Sequence, residues 1–473
     1  MTDLHHLDAS AALRLFLSRQ LSPVELMRAV IERHSAVGER INAFTETMFE
    51  AAVDEARDAE KRYQQGVERP GLLGLPVATK EKHMIAGRRL SQGLSFRRDE
   101  TSDLSHPIVE RIRRAGGIVH ARTTSPEFSC ATVTHSPLWG VTRNPWNLSF
   151  SPGGSSGGSG AALAAGLAPL ATASDIAGST RVPAAFTGTV GYKAPYGRIP
   201  GVPPLSADPY RGDGPMARTV ADTALLANVM AGRHPRDHAS LWPAMTVPVD
   251  DESVAGRRIA LCMRLGDYPV TEETEQNTRA VADALADAGA IVDEVTLPWS
   301  TREITDTIFT HFGYILGPAM GDDIAGHEDE VAAYTRQFMA DARAAAERNR
   351  YVDGLEIETR LQLELAEAMG GHDALVCPTT CTALDADGDY LDGIDVAGTH
   401  LQHYWESHLT APFNIANRCP VLAVPSGLSA SGVPTGVQIV GHPYDDATVF
   451  RVGAAVERAR PWGNRHPDIE PTR

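Results

Sequence analysis

Residues 151–181, SPGGSSGGSGAALAAGLAPLATASDIAGSTR, decide how the rest of this chain is read. A glycine–serine loop leads into an alanine-rich segment whose composition predicts a helix. That segment leads into a second small-residue loop ending on Ser179. Loops without large side chains let backbone approach a ligand closely. Two such loops joined by a helix have the form of an active site, and the remaining residues read as its support.

The run GGSSGGSG has three readings. A flexible linker is disfavoured because Ala161-Ala162-Leu163-Ala164-Ala165 is apolar and helix-prone, so the loop enters packed structure. A phosphate-binding P-loop needs a lysine after its last glycine, and none follows. A nucleophile loop remains: Gly154-Ser155-Ser156-Gly157-Gly158 fits G-x-S-x-G, which also needs a downstream acid and histidine, and none stands in a distinctive context. The second loop offers other chemistry. Asp175-Ile176-Ala177-Gly178-Ser179 sets a serine behind small residues whose N–H groups can converge on a developing oxyanion. Such a serine attacks a carbonyl only if a base takes its proton. A lysine serves if its free pKa of about 10.4 falls by several units, through burial or nearby positive charge. Lys80 ends the apolar run Gly74-Leu75-Pro76-Val77-Ala78-Thr79 and is the candidate. A lone lysine at a strand end is ordinarily solvated, and the residues alone leave that point open.

Around this centre the chain has an α/β character. Helices are predicted over 8–35, where Ser22, Pro23 and Glu25 form a cap and start signal, and over 48–65, with Ala52, Ala56 and Ala59 on one side. A helix at 106–115 ends at Gly116-Gly117 and feeds a buried strand at 118–121, a unit typical of parallel sheets. Strands at 258–262, 290–295, 374–378, 421–425 and 436–441, with a helix at 272–288, repeat the style. Residues 326–369 read as a charged helical outer layer. With no long linker, the 473 residues read as one domain: N-terminal helices over 1–70, a core over about 71–230, and further elements over about 250–465. The best candidate for an internal boundary is 232–248.

Composition narrows the partners. With 42% hydrophobic and 22% charged residues the chain is a folded globular one. A net charge of −17 argues against nucleic acid or an anionic membrane as the main partner. There is no run of about 18 apolar residues to span a membrane, and no secretory leader pattern at the N-terminus. Cys130, Cys262, Cys377, Cys381 and Cys419 have no metal-ligand spacing and read as buried thiols, a sparse odd set that suits a reducing, cytoplasmic setting. No metal site and no cofactor is expected. A homodimer is left open.

The motifs together resemble the amidase signature family, densely from residue 74 to 204. The lysine motif stands as Gly74-Leu75-Pro76-Val77-Ala78-Thr79-Lys80-Glu81. Thr142-Arg143-Asn144-Pro145-Trp146-Asn147 precedes Pro152-Gly153-Gly154-Ser155-Ser156-Gly157-Gly158-Ser159, and the nucleophile motif follows as Asp175-Ile176-Ala177-Gly178-Ser179-Thr180-Arg181. Pro412-Phe413-Asn414 and Gly436-Val437-Gln438-Ile439-Val440-Gly441 also look like family segments. The resemblance implies a three-layer α/β/α fold with a large mixed central sheet. It implies a Ser–cis-Ser–Lys triad, with Ser179 as nucleophile, Ser155 as proton relay joined to Gly154 by a cis bond, and Lys80 as base. It also implies an oxyanion hole from the N–H groups of Ile176, Ala177, Gly178 and Ser179, with Asp175 and Arg181 holding the loop. Ser156 and Ser159 are expected to satisfy backbone groups or each other. Two departures stand out. Ala177 replaces a commoner glycine, which is tolerable at negative φ, and Glu81 replaces the usual aspartate.

The implied activity is hydrolysis of a carbon–nitrogen bond in a small carboxamide, anilide or carbamate. One alternative is the A-type component of a glutamyl-tRNA(Gln) amidotransferase working with partner subunits. Another is a degenerate, non-catalytic binding protein. In the family the acyl pocket follows the Thr124-Ser125-Pro126-Glu127-Phe128 motif, here as Ser129-Cys130-Ala131-Thr132. Ser129 and Cys130 are therefore the expected substrate-binding residues, and their small size suggests room for a bulky acyl group. Loops at 310–320 and 400–413 are expected on the leaving-group side.

Overall fold

The apolar runs assemble into one mixed sheet in a computed structural model, which describes residues 3–66, 71–244, 246–247 and 253–471. Its eleven strands are, in chain order, β1 (Phe44–Thr47), β2 (Pro76–Lys80), β3 (Ile118–Thr123), β4 (Leu170–Asp175), β5 (Val190–Lys193), β6 (Gly212–Ala217), β7 (Arg258–Leu261), β8 (Ile291–Glu294), β9 (Ala374–Pro378), β10 (Val421–Leu428) and β11 (Pro434–Gly441). Across the sheet they lie in the order β1-β3-β2-β4-β6-β5-β10-β11-β9-β7-β8. β2 runs parallel to β3 and β4, and β7 runs parallel to β8 and β9. The other neighbours are antiparallel, including the β10–β11 hairpin turned at Ser431-Gly432. Helices cover both faces, giving the expected three-layer α/β/α architecture. No helix among the described residues is long and apolar enough to cross a membrane.

Local signals place most elements. The Pro23–Ile41 helix starts on the Ser22–Glu25 capping box and buries Leu26, Met27 and Val30. Strands β2, β3, β4 and β9 are buried along their whole length, as strands covered on both faces must be. The alanine-rich segment behaves differently from its composition. Its helix, Gly157–Ala164, stops early; Gly166 turns the chain at φ +77°, and β4 follows. Ala171 and Ala173 of this strand pack against Leu163 and Ala184. Central burial between β2 and β6, not β-propensity, holds these small residues extended.

Two other expectations need correction. Residues 310–320 are not a loop but part of the long Thr301–Asp323 helix. Residues 326–369 are two helices, Ala333–Arg348 and Tyr351–Ala368, and the first is not merely an outer layer: Phe338 is buried against Phe309, Phe312 and Trp405. The charged residues mask an aromatic stripe beneath them. The candidate boundary at 232–248 includes residues 245 and 248, which lie outside the described residues. All five cysteines are free and buried, as read.

Close packing explains the doubled glycines. A Cβ at Gly158 would lie 2.3 Å from Thr124 Oγ1 and 2.5 Å from the Thr124 nitrogen; one at Gly157 would lie 2.3 Å from Thr134 Oγ1. The Gly157–Ala164 helix therefore sits against the sheet backbone. Gly158→Ala should lower stability by roughly 1–3 kcal/mol by overpacking. Gly71→Ala, where nothing lies within 4 Å, should leave the urea midpoint nearly unchanged.

Candidate active site

Because β2 and β4 are parallel neighbours, their carboxyl ends share one edge of the sheet, where ligands of α/β proteins gather. Lys80 ends the first strand and Asp175 the second. Lys80 is not solvated. It is fully buried, and its Nζ lies 2.7 Å from Ser155 Oγ, 3.0 Å from Ser156 Oγ and 3.1 Å from Ser174 Oγ. No carboxylate forms an ion pair with it among the described residues. Burial pushes its pKa far below the ordinary lysine value, and the Lys82 and Arg211 charges push the same way against Asp213 and Asp175.

Ser155 follows a cis peptide bond from Gly154, and a Cβ on Gly154 would meet the Thr132 backbone at 2.7 Å. Ser155 and Ser179 are buried and line one cavity of about 140 Å³. Their hydroxyls share no direct hydrogen bond among the described residues. The two loops are instead tied by the Ser156 N–H, which donates to Ser179 O at 3.2 Å. The Ser159 N–H donates to Ser156 O at 3.1 Å, but the two hydroxyls turn to other partners. Ser156 reaches Lys80, while Ser159 Oγ lies 2.8 Å from Thr123 Oγ1 and donates to Thr172 O.

The Asp175–Ser179 loop is held from within and from the far half of the chain. Asp175 accepts the Gly178 N–H at 2.8 Å and pairs with Arg181. Arg181 also donates to Gln438 Oε1, Asn414 Oδ1 and Thr410 O. This gives the two C-terminal motifs a shared structural purpose. Burial alone would raise the Asp175 carboxyl; the Arg181 guanidinium reverses this and holds it at about 2. The Gly178 N–H is thus engaged by Asp175 and does not point a free donor into the cavity, unlike the expectation for that residue. The N–H groups of Ile176, Ala177 and Ser179 have no hydrogen-bond partner among the described residues. Gly178 sits at φ +130°, where a Cβ would strike Thr410 Oγ1 at 2.1 Å, whereas Ala177 is not in a left-handed conformation and tolerates its methyl group.

Comparison with known proteins identifies the family. The sequence profile of the amidases matches residues 25–450. This chain belongs to the amidase signature family. It is an enzyme of amide carbon–nitrogen bonds. It is 32% identical to the A-type component of the glutamyl-tRNA(Gln) amidotransferase of Chloroflexus aggregans, over 99% of both chains. Among solved structures it resembles a bacterial aryl acylamidase of the amidase signature enzymes, with a TM-score of 0.88, 27% identity and 97% of each chain covered. It also resembles a 6-aminohexanoate cyclic dimer hydrolase, with a TM-score of 0.85, 28% identity, and 99% of this chain and 100% of that one covered.

In this amidase, Ser129 and Cys130 line the cavity that holds Ser179. Phe128 and Ser129 both take left-handed backbone, at φ +52° and +59°, costly for residues with side chains and often found beside ligand sites. Burial pushes the Cys130 thiol up to about 12, so it faces the cavity as a neutral group. Ala131 and Thr132 do not line the cavity; they back Gly154. Of the larger lining side chains, Phe312, Leu316, Met320 and Trp405 come from the 310–320 and 400–413 segments expected near the pocket, whereas Phe338 comes from the charged Ala333–Arg348 helix, where no local signal marks it. A separate cavity of about 810 Å³ adjoins this wall through Cys130, Phe338 and Trp405 but does not reach the serines. Glu81 uses its extra methylene to accept the Ser91 and Gln92 N–H groups, fixing a segment that borders the cavity.

His83, His106 and Asp213 form a buried set within reach of one another. Hydrogen bonding assigns its protons. Thr172 Oγ1 accepts the Lys80 N–H and donates to His83 Nδ1 at 2.8 Å, leaving His83 Nε2–H to donate to Asp213 at 3.0 Å. His106 Nδ1 accepts the Ile108 N–H, so its Nε2 proton faces Asp213 at 3.4 Å. Both ring nitrogens nearest Asp213 carry protons, which suits a self-satisfied network rather than metal ligation. Burial keeps His83 neutral, lowering it to about 3 despite Asp213.

Replacing Arg181 by Met should strand the Asp175 carboxylate in the interior and cost about 3–5 kcal/mol, measured by urea unfolding. In the wild type, Asp175 is depressed relative to the unfolded chain. Its contribution to stability should be complete above about pH 4 and lost as pH falls toward 2, and the variant should lack that component.

Proposed function

We propose that this amidase hydrolyses the carbon–nitrogen bond of a small carboxamide, anilide or carbamate through an acyl-serine intermediate. The observation that carries the reading is the fully buried Lys80 amine, bonded to Ser155 and lacking a counter-ion. A neutral amine has two N–H groups and one lone pair. That matches its three hydroxyl neighbours if Ser155 donates and Ser156 and Ser174 accept.

In the proposed mechanism Ser179 gives its proton to Ser155 as Ser155 gives its own to Lys80. The Ser179 alkoxide adds to the amide carbonyl. The oxyanion is met by the N–H groups of Ile176, Ala177 and Ser179; one such donor is typically worth about 3–4 kcal/mol. The C–N bond breaks as the proton returns through Ser155 to the leaving nitrogen. Water, deprotonated through the same relay, then opens the acyl ester and restores Ser179. The aromatic wall of Phe128, Phe312, Phe338 and Trp405 supports an aryl or bulky apolar group on one side of the amide, as does the likeness to the aryl acylamidase.

A second reading rests on the A-type amidotransferase components among the curated relatives. In that case the chain alone would turn over simple amides poorly, and added partner subunits would raise the rate.

A screen of amides, esters and carbamates should find turnover by the purified chain. Ser179→Ala and Lys80→Met should each lower kcat/KM by at least about 10³-fold, in line with losses of a nucleophile or its base. Wild-type kcat/KM should rise with pH as Lys80 loses its proton and level off well below the ordinary lysine pKa, because the neutral amine is the active form. A fluorophosphonate should label Ser179, and retention of wild-type rate by Ser179→Ala would reject the assignment.

A further inference from the structure

Two cations stand at the wall of the Ser179 cavity without partners. Lys82 and Arg211 line both that cavity and an adjoining one of about 200 Å³. Both are half-buried. Among the described residues neither side chain makes a hydrogen bond or an ion pair. Arg211 is the charged neighbour that acts most strongly on Lys82, so the two like charges face a shared space.

The nearby carboxylates do not answer them. Four border the two cavities, and each is engaged elsewhere. Asp175 pairs with Arg181, and Asp213 with His83 and His106. Asp323 lies 3.3 Å from Arg97, and Asp237 accepts the N–H groups of Gly201 and Ala239. Charges withdrawn from water are normally paired. Burial first, and Arg211 second, drive the Lys82 ammonium down to about 7, the behaviour of a cation that lacks its anion. The same cavity is also lined by the apolar side chains of Phe312, Phe338 and Trp405.

On the reading that the chain hydrolyses amides, we propose that its substrate carries a carboxylate, held between Lys82 and Arg211, on the side of the scissile amide away from an apolar or aryl group. The carboxylate supplies the missing counter-charge, and the apolar wall takes the other end. The substrate class is therefore an acidic amide, with its charge a few bonds from the carbonyl that Ser179 attacks.

Two matched pairs of compounds test this in both orientations. N-phenylsuccinamate against butyranilide puts the carboxylate on the acyl side, and N-benzoylglycine against N-ethylbenzamide puts it on the amine side. In at least one pair the acid should have a kcat/KM at least about tenfold higher, a gap worth about 1.4 kcal/mol. Lys82→Gln and Arg211→Gln should each cut the acid-to-neutral ratio at least fivefold, and Arg211→Lys should restore part of it. The same four compounds are titrated calorimetrically into Ser179→Ala, where the favoured acid should bind at least tenfold tighter than its neutral partner. Hydrolysis of neutral members as fast as acids in both pairs, or a ratio unmoved by both Gln variants, overturns the anion site and leaves amide hydrolysis standing. If nothing is turned over, binding decides. A preference for the acid keeps the site while the hydrolytic reading falls, and no preference, or no binding of either acid, overturns the site.

Discussion

An amine sealed in the protein interior without a counter-ion is the constraint on which this structure turns. Taking the Lys80 side chain out of water disfavours its ammonium form. Among the described residues no carboxylate pairs with it, and the nearby Lys82 and Arg211 charges add to the shift against Asp213 and Asp175. Three serine hydroxyls satisfy the nitrogen instead. The surroundings thus favour the unprotonated form of this base and set it beside two serines in one cavity.

Backbone packing keeps the groups in place. Gly154, Gly157 and Gly158 each sit where a Cβ would overlap a neighbour, so their loop and helix pack tightly against the 124–134 segment that follows β3. The second loop is held by a polar hub. Arg181 joins Asp175 to Thr410, Asn414 and Gln438, all fully or nearly fully buried, and so couples the serine loops to the last third of the chain. Such a hub is satisfied only when both halves have folded. That explains how residues more than two hundred positions apart act on one loop.

The Ser179 cavity has an uneven character. Its apolar wall comes from the Thr301–Asp323 and Ala333–Arg348 helices and the Tyr404–Ser407 turn, whereas its cationic wall comes from the segment just after β2 and from the start of β6. The polar network of Thr172, His83, His106 and Asp213 reaches the Lys80 backbone, and its His106 and Asp213 line the adjoining cavity with Lys82 and Arg211. Asp213 is thereby occupied, which leaves Arg211 two residues away without it.

Much of this was legible from the residues. The capped helix at Ser22, the strand–turn–strand rhythm and the paired serine loops follow from local periodicity and turn chemistry, which neighbouring residues in the chain determine. The motif around Lys80 could be read, but its burial could not, because strand propensity does not say whether water reaches the strand end. The extended Leu170–Asp175 run was hidden by its alanines, and Phe338 of the cavity wall by the charges of its helix. The role of the Gly178 N–H was missed because only the folded loop turns Asp175 toward it. Sequence by itself determined the fold class and the family and picked out Lys80, Ser155 and Ser179 as the candidates, since those rest on short contiguous patterns. Tertiary structure alone decided that the lysine is dry, that Arg181 binds the distant motifs, and that Lys82 and Arg211 stand together unpaired, because burial and ion pairing depend on which remote segments come into contact.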